Sequence, residues 1–288
     1  TQALAGFSNL HLDHPAPGET IKDSCDIVRR HSWNGGIDLD DLARQWWQPL
    51  VGGFQGASQP RRSLVIAILQ EGSELTPARR TVDKQCFARI DTVRAACPDA
   101  LIRVDANRGW NVEQAIEASR VLGPLDYMEQ PCATLAELAE VRRRAGVCVA
   151  ADESIRRADD PYRVAREGAA DVAVIKVAPL GGVRRVCELA EFMHARGLGL
   201  TVASALDTAV GMNAGLAAAA LVGERAAGLA TQEFFLEDVA EPRVIQNGRM
   251  STVPVAPEPD RLAALAASSE RRDWWLERVR RVWKVWAS

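Results

Sequence analysis

Histidine is scarce in this 288-residue chain, and its six cysteines include no C-x-x-C pair. A zinc ribbon and a disulfide framework are thereby excluded as organising devices, and the thiols read as reduced packing residues. His11 and His14 stand close together near Thr1 and read as solvated. An excess of charge of either sign is also missing, since Lys plus Arg count 35 against 38 for Asp plus Glu. The net charge of −3 carries no polyanion-binding signature, so nucleic acid is not expected as a partner. Long apolar runs are lacking too. The charge-free stretch between Asp207 and Glu224 holds 16 residues, several of them glycine, against the ~20 needed to cross a bilayer. No membrane association is expected. The opening residues show no basic stretch followed by an apolar one, and a cytoplasmic location is the expectation.

What is present is an ordinary globular composition, 47% hydrophobic and 25% charged, in a chain long enough to bury a substantial core. From about residue 101 short β-like runs alternate with amphipathic helices, the pattern of a parallel α/β architecture. The runs cover residues 101–104, 125–128, 147–151, 171–177, 199–203 and 228–231. Between them Asn111 with Gln114, and Thr134 with Glu137, read as capping boxes, while Gly123-Pro124 and Gly146 read as stops. After Thr134 the apolar Leu135, Leu138 and Ala139 recur at helical spacing, so each helix offers one face to a sheet.

A charged residue closes four successive runs: Asp105 in V-D-A-N, Glu129 in M-E-Q-P, Asp152 in A-A-D-E-S and Lys176 in V-I-K-V. The intervals are 24, 23 and 24 residues. A barrel of equal βα units places equivalent strand ends on one rim, where such barrels hold their chemistry. Three carboxylates in register repel one another unless a cation neutralises them. Oxygen donors alone favour a hard ion, magnesium or another divalent cation. Each acid taken singly also reads as a cap or turn residue. A lysine within an apolar run needs a cavity or a charge partner. Lys176 therefore reads either as a general base or anion-stabilising group beside the cation, or as a simple salt bridge to Asp152 or Glu153.

The blocks V-D-A-N, M-E-Q-P-C-A-T, A-A-D-E-S-I-R and V-I-K-V-A-P-L-G-G, followed by A-S-A-L-D-T-A-V-G, resemble the enolase superfamily. Within it they are similar to the actinobacterial-type o-succinylbenzoate synthases. The likeness runs from about Phe87 to Thr231 and recurs in F-L-E-D-V-A-E-P and in R-R-D-W-W-L-E-R-V. It implies a capped barrel with magnesium held by Asp105, Glu129 and Asp152 at the ends of strands three to five. It also implies that Lys176 is the lysine of strand six, with Glu153 behind the ligands and Ser204 touching the substrate's succinyl chain. The known pattern of that superfamily, a lysine or histidine base working with magnesium on an enediolate, then applies. The implied reaction is loss of water from a succinyl-hydroxycyclohexadiene carboxylate, giving o-succinylbenzoate for menaquinone synthesis, with a small-molecule carboxylate as the substrate.

The same family carries a K-x-K pair at the end of the second strand. One unit before Asp105 lie residues 75–78, in G-S-E-L-T-P-A-R-R, with no such pair. Lys84, the only lysine between Lys22 and Lys176, reads as a helix start. An N-acylamino acid racemase or epimerase, a metal-binding barrel without catalysis, and an interaction protein using an aromatic helix therefore stay open beside the synthase.

The expected fold is α/β, a TIM-type (β/α) barrel incomplete in its first units. Residues 1–60 form a partial capping region, 61–240 the barrel and 241–288 a C-terminal segment and helix packing on the barrel or cap. In the first part residues 42–50, with Trp46-Trp47, read as a helix, and 63–69 is the one convincing strand. In the last, 254–259 reads as a linker, and 271–286 as an amphipathic helix with half-buried tryptophans.

Overall fold

Residues at every second position of the strand runs belong to different surroundings, and that alternation shapes the molecule. A computed structural model describes residues 24–26, 62–67 and 84–287, apart from 224 and 247. The expected cap over 1–60, the helix at 42–50, His11, His14 and the segment 75–78 lie outside the described residues, save the strands named next. Seven parallel strands form one sheet in chain order: β1 (Ser24–Asp26), β2 (Arg62–Ala67), β3 (Ala100–Asp105), β4 (Tyr127–Glu129), β5 (Val149–Ala151), β6 (Val172–Ile175) and β7 (Gly199–Val202). Helices α1 (Lys84–Ala96), α2 (Val112–Leu122), α3 (Leu135–Ala145), α4 (Asp160–Arg166), α5 (Val183–His194) and α6 (Met212–Val222) follow β2 to β7 in turn. This is the unit repeat of a (β/α) barrel.

The helices start and stop where the side chains dictate. Asn111 and Thr134 each accept from the backbone of the residue three on, and Gln114 and Glu137 reach back, so both capping boxes are formed. Gly146 ends α3 in the left-handed region, at φ 63°, where a Cβ is disfavoured.

Parity then builds two apolar layers. Ile102, Val104, Met128, Val149, Ala151, Ala173, Ile175, Leu200 and Val202 pack with helix residues such as Leu138, Val186, Leu189 and Leu216 in the main core. Each fully buried aliphatic side chain of this kind stabilises by roughly 1.5–3 kcal/mol. The intervening positions, Tyr127, Ala150, Val172 and Val174, form a separate small cluster on the other face of the strands. That inner face also carries Arg103, which is buried and stacked 4.7 Å over the Tyr127 ring. Its Nε donates to Asp126 at 2.6 Å and its Nη1 to the carbonyl of Ala226 at 2.8 Å, tying β3 to the segment beyond α6. Arg225 donates to the other oxygen of Asp126 at 2.6 Å.

Two expectations are corrected and one is met. The run 228–231 is not a strand: Gly228 makes a single parallel bridge to Ala203, and Thr231–Phe234 is a 3-10 turn. Gly228, at the bridge itself, weakens strand pairing there. The strand expected at 63–69 is present as β2, and Ala67 is the register partner of Asp105. The C-terminal helix α8 (Ser269–Trp286), preceded by α7 (Pro259–Ala264), forms as expected, but Trp274, Trp275 and Trp283 are exposed by 44%, 48% and 62%. Arg271 and Arg278 lie over the rings of Trp274 and Trp275, covering part of the stripe from within the helix itself. The preceding segment is pinned firmly, since Arg243 donates to the carbonyls of Ala209, Ser251 and Val253, and Asn213 holds Val255 from both sides. Residues 254–258 thus run as a tethered connection.

Candidate functional site

Asp105 and Glu129 end β3 and β4 and are direct register partners. Glu129 pairs in turn with Ala150, so Asp152 stands one inward step further along β5. Lys176 follows the last residue of β6 on the parity of Val172 and Val174. The four residues therefore point to the inner face at one end of the strands, above Arg103, Tyr127, Ala150 and Val174. Strand pairing brings together every one of the three acids and the lysine read from the sequence.

The turns behind the strands hold them there. Asp105 accepts at Oδ1 from the backbone N–H of Asn107, 2.8 Å, in a turn where Asn107 and Arg108 both have positive φ. The N–H groups of Ala106, Arg108 and Trp110 donate to the carbonyls of Glu129, Gln130 and Pro131, zipping the two loops together. Gln130 is the residue the sequence reading missed. Buried and held at φ 34°, it accepts at Oε1 from the backbone N–H of Asp152 (2.9 Å) and of Ser154 (3.1 Å). Its Nε2 donates to the Cys132 carbonyl (3.0 Å) and to Ser154 Oγ (2.8 Å). One amide thus fixes the start of the loop after β5. Only its place after Glu129 in E-Q-P hinted at it.

Lys176 Nζ lies 2.6 Å from each oxygen of Asp152. Arg156 Nη1 donates to Asp152 Oδ1 at 2.9 Å and to the carbonyls of Asp152 and Ile155. The salt bridge offered as one reading of Lys176 is therefore present. Glu129 has a different environment: burial and the flanking charges of Asp105 and Asp152 raise its carboxyl well above the usual carboxylate range, with Lys176 opposing. Burial and Asp152 also raise Glu153, whose Oε2 is buried without a hydrogen-bond partner. Ser204 is buried and donates from Oγ to the carbonyl of Gly228 at 3.1 Å. Lys84 begins α1.

The donor chemistry fits a hard divalent cation: three carboxylates on adjacent strands, one of them raised by burial and by the charges of the other two. Among the described residues, however, no three acidic, histidine or cysteine side chains are gathered into a ready coordination group. Asp152 is drawn onto Lys176 and Arg156 instead. No described helix is long and apolar enough to cross a membrane.

Comparison with known proteins places this geometry. Residues 78–257 match the family model described as enolase C-terminal domain-like. The o-succinylbenzoate synthase of Mycolicibacterium smegmatis is 52% identical over 197 residues, covering 67% of this chain and 60% of that protein. That of Mycobacterium tuberculosis strain ATCC 25177 is 50% identical over 197 residues, covering 67% and 59%. The chain spans about three fifths of the length of these relatives. Among solved structures, muconate cycloisomerase from Pseudomonas fluorescens superposes with a TM-score of 0.58 at 26% identity, over 71% of this chain and 58% of that one. An isomerase from Streptomyces coelicolor A3(2) gives 0.61 at 25%, over 73% and 56%.

Proposed function

The chain belongs to the enolase superfamily, and from that premise we propose that it serves the magnesium-dependent dehydration of a succinyl-hydroxycyclohexadiene carboxylate to o-succinylbenzoate, in menaquinone biosynthesis. The observation that carries this reading is the three-strand carboxylate row facing Lys176, in a chain half identical to o-succinylbenzoate synthases over that region. Asp105, Glu129 and Asp152 would hold the cation. When bound, magnesium supplies fixed positive charge for the substrate carboxylate as it gains electron density. Lys176 would hold an ammonium beside that carboxylate and stabilise the enediolate formed when a general base takes the α proton; the protonated base then gives that proton to the departing hydroxyl, which leaves as water. Gln130 keeps Asp152 in place, and Ser204 borders the succinyl chain. The substrate is a small carboxylate met in the cytoplasm, and the barrel proposed over 61–240 carries all these groups.

The register of β2 favours a second reading. β2 contains no lysine, and the position level with Asp105 is Ala67. A barrel that binds the cation and turns over slowly follows from losing one half of an acid/base pair, which costs about 10²–10⁴ in rate. A racemase or epimerase needs both lysines even more strictly. The deciding assay measures o-succinylbenzoate formation with and without magnesium, beside Lys176→Ala and Lys84→Ala. Magnesium-dependent product that falls by orders of magnitude in Lys176→Ala supports the synthase. Cation binding without product supports the second reading, and activity unchanged in Lys176→Ala overturns the proposed site.

A further inference from the structure

We infer that Lys176 is the resident counter-ion of Asp152 and that a divalent cation must displace it, so that arrival of the cation and release of the lysine are one coupled event. The inference rests on the reading of Asp105, Glu129 and Asp152 as a cation site. One ammonium straddles both oxygens of Asp152, at 2.6 Å each. The Asp152 side chain is 9% exposed and that of Lys176 16%, so little water screens the pair. A magnesium ion takes a carboxylate oxygen at about 2.0–2.1 Å. An ammonium bridging both oxygens stands in that approach, and a divalent ion brought up to a carboxylate that already faces Lys176 and Arg156 meets strong repulsion where water is sparse.

The two cations already on Asp152 are not held alike. Arg156 is also anchored by two backbone carbonyls, at 3.1 and 3.3 Å, and engages only Oδ1 of the carboxylate. Lys176 has Asp152 as its only hydrogen-bond partner among the described residues. Lysine is therefore the group that leaves. The Glu129 carboxylate is the oxygen donor that stays available, because the side-chain hydrogen bonds there fall on Asp105 and Asp152 and none on the Glu129 carboxylate among the described residues. A cation entering beside Asp105 and Glu129 meets Lys176 as the competitor for its third carboxylate, and the freed ammonium remains at the end of β6, beside the bound ion. The free enzyme thus keeps its lysine sequestered until the metal has bound.

Calorimetric titration of the full 288-residue chain with magnesium or manganese chloride, without substrate, tests this. Competition of this kind couples the two events, and couplings of about 5–150-fold are usual. Lys176→Met is expected to bind the cation about tenfold more tightly than the parent. Lys176→Arg, whose guanidinium grips a carboxylate with two parallel bonds, is expected to bind it more weakly. Equal or weaker binding by Lys176→Met overturns the inference while leaving the cation site standing; absence of binding by the parent and both variants overturns the site and the inference together. Should Lys176→Met fail to fold, Lys176→Arg decides, and binding as tight as the parent overturns the inference. Acetylation of the Lys176 amine, followed by mass spectrometry, is expected to rise on adding magnesium; labelling that stays the same overturns it.

Discussion

On the inner face of the strands, two charged layers sit two residues apart, about 7 Å along the strand direction, and they are satisfied in opposite ways. In the lower layer Asp126 is clasped by Arg103 on one oxygen and Arg225 on the other, and Arg103 is closed off by the Tyr127 ring and the Ala226 carbonyl. Among the described residues both arginines and the aspartate of this layer are paired. In the upper layer Asp105, Glu129, Asp152 and Glu153 outnumber Lys176 and Arg156, and Glu129 and Glu153 are both pushed towards protonation. Similar side chains on the same inner face thus give a closed network that fastens the barrel and an open one that asks for a cation.

The sharpest way to break this contrast is to remove Arg103. Its loss leaves Asp126 half paired and strips a tie between β3 and the segment after α6, so Arg103→Met is expected to lower unfolding free energy by about 3–5 kcal/mol. Magnesium affinity is expected to stay within a factor of about two, since distant sites are nearly independent. Urea unfolding and calorimetry on the same variant check both; a large loss of affinity in a stably folded variant would show that the two layers are one unit.

A smaller effect is expected in the upper layer. The folded protein raises the Glu129 carboxyl, so its contribution to stability is present below the unfolded value of about 4.3 and is lost as pH climbs through the raised folded value. Metal-free protein is therefore expected to melt at lower temperature as pH rises through that window, and Glu129→Gln to flatten the fall. Below about pH 4 the two proteins should converge. Melting curves across pH are the check, and an unchanged slope in Glu129→Gln would place the unbalanced charge elsewhere.

Least affected is the scaffold common to both layers. Thr134→Ala removes the capping box of α3 and is expected to cost about 1 kcal/mol, with no change in cation affinity. An effect several times larger would mean that the loop carrying Glu129 depends on that cap, and that scaffold and site are less separable than the two layers suggest.

The repeat of 24, 23 and 24 residues made the row of Asp105, Glu129, Asp152 and Lys176 legible, because equal βα units return the chain to one rim. Both capping boxes were legible for a local reason: the groups that satisfy each other are three residues apart. Gln130 was not, since its four side-chain hydrogen bonds go to Asp152 and Ser154 in the loop after β5, more than twenty positions away, and to its own loop. Nothing along the chain singles out Arg103, and only the fold brings Ala226 to it and Arg225 to Asp126. The C-terminal tryptophans misled because a stripe at helical spacing specifies an amphipathic helix without specifying what faces it.

Sequence alone determined the alternating units, the helix ends and which side chains share the inner face, because period, caps and parity are properties of neighbours along the chain. Tertiary structure alone decided that Lys176 spans both oxygens of Asp152, that Ala67 stands level with Asp105, and that Arg103 and Arg225 close on Asp126 from either side. Those facts depend on strand register and on distances between residues far apart in the chain, which no local pattern encodes.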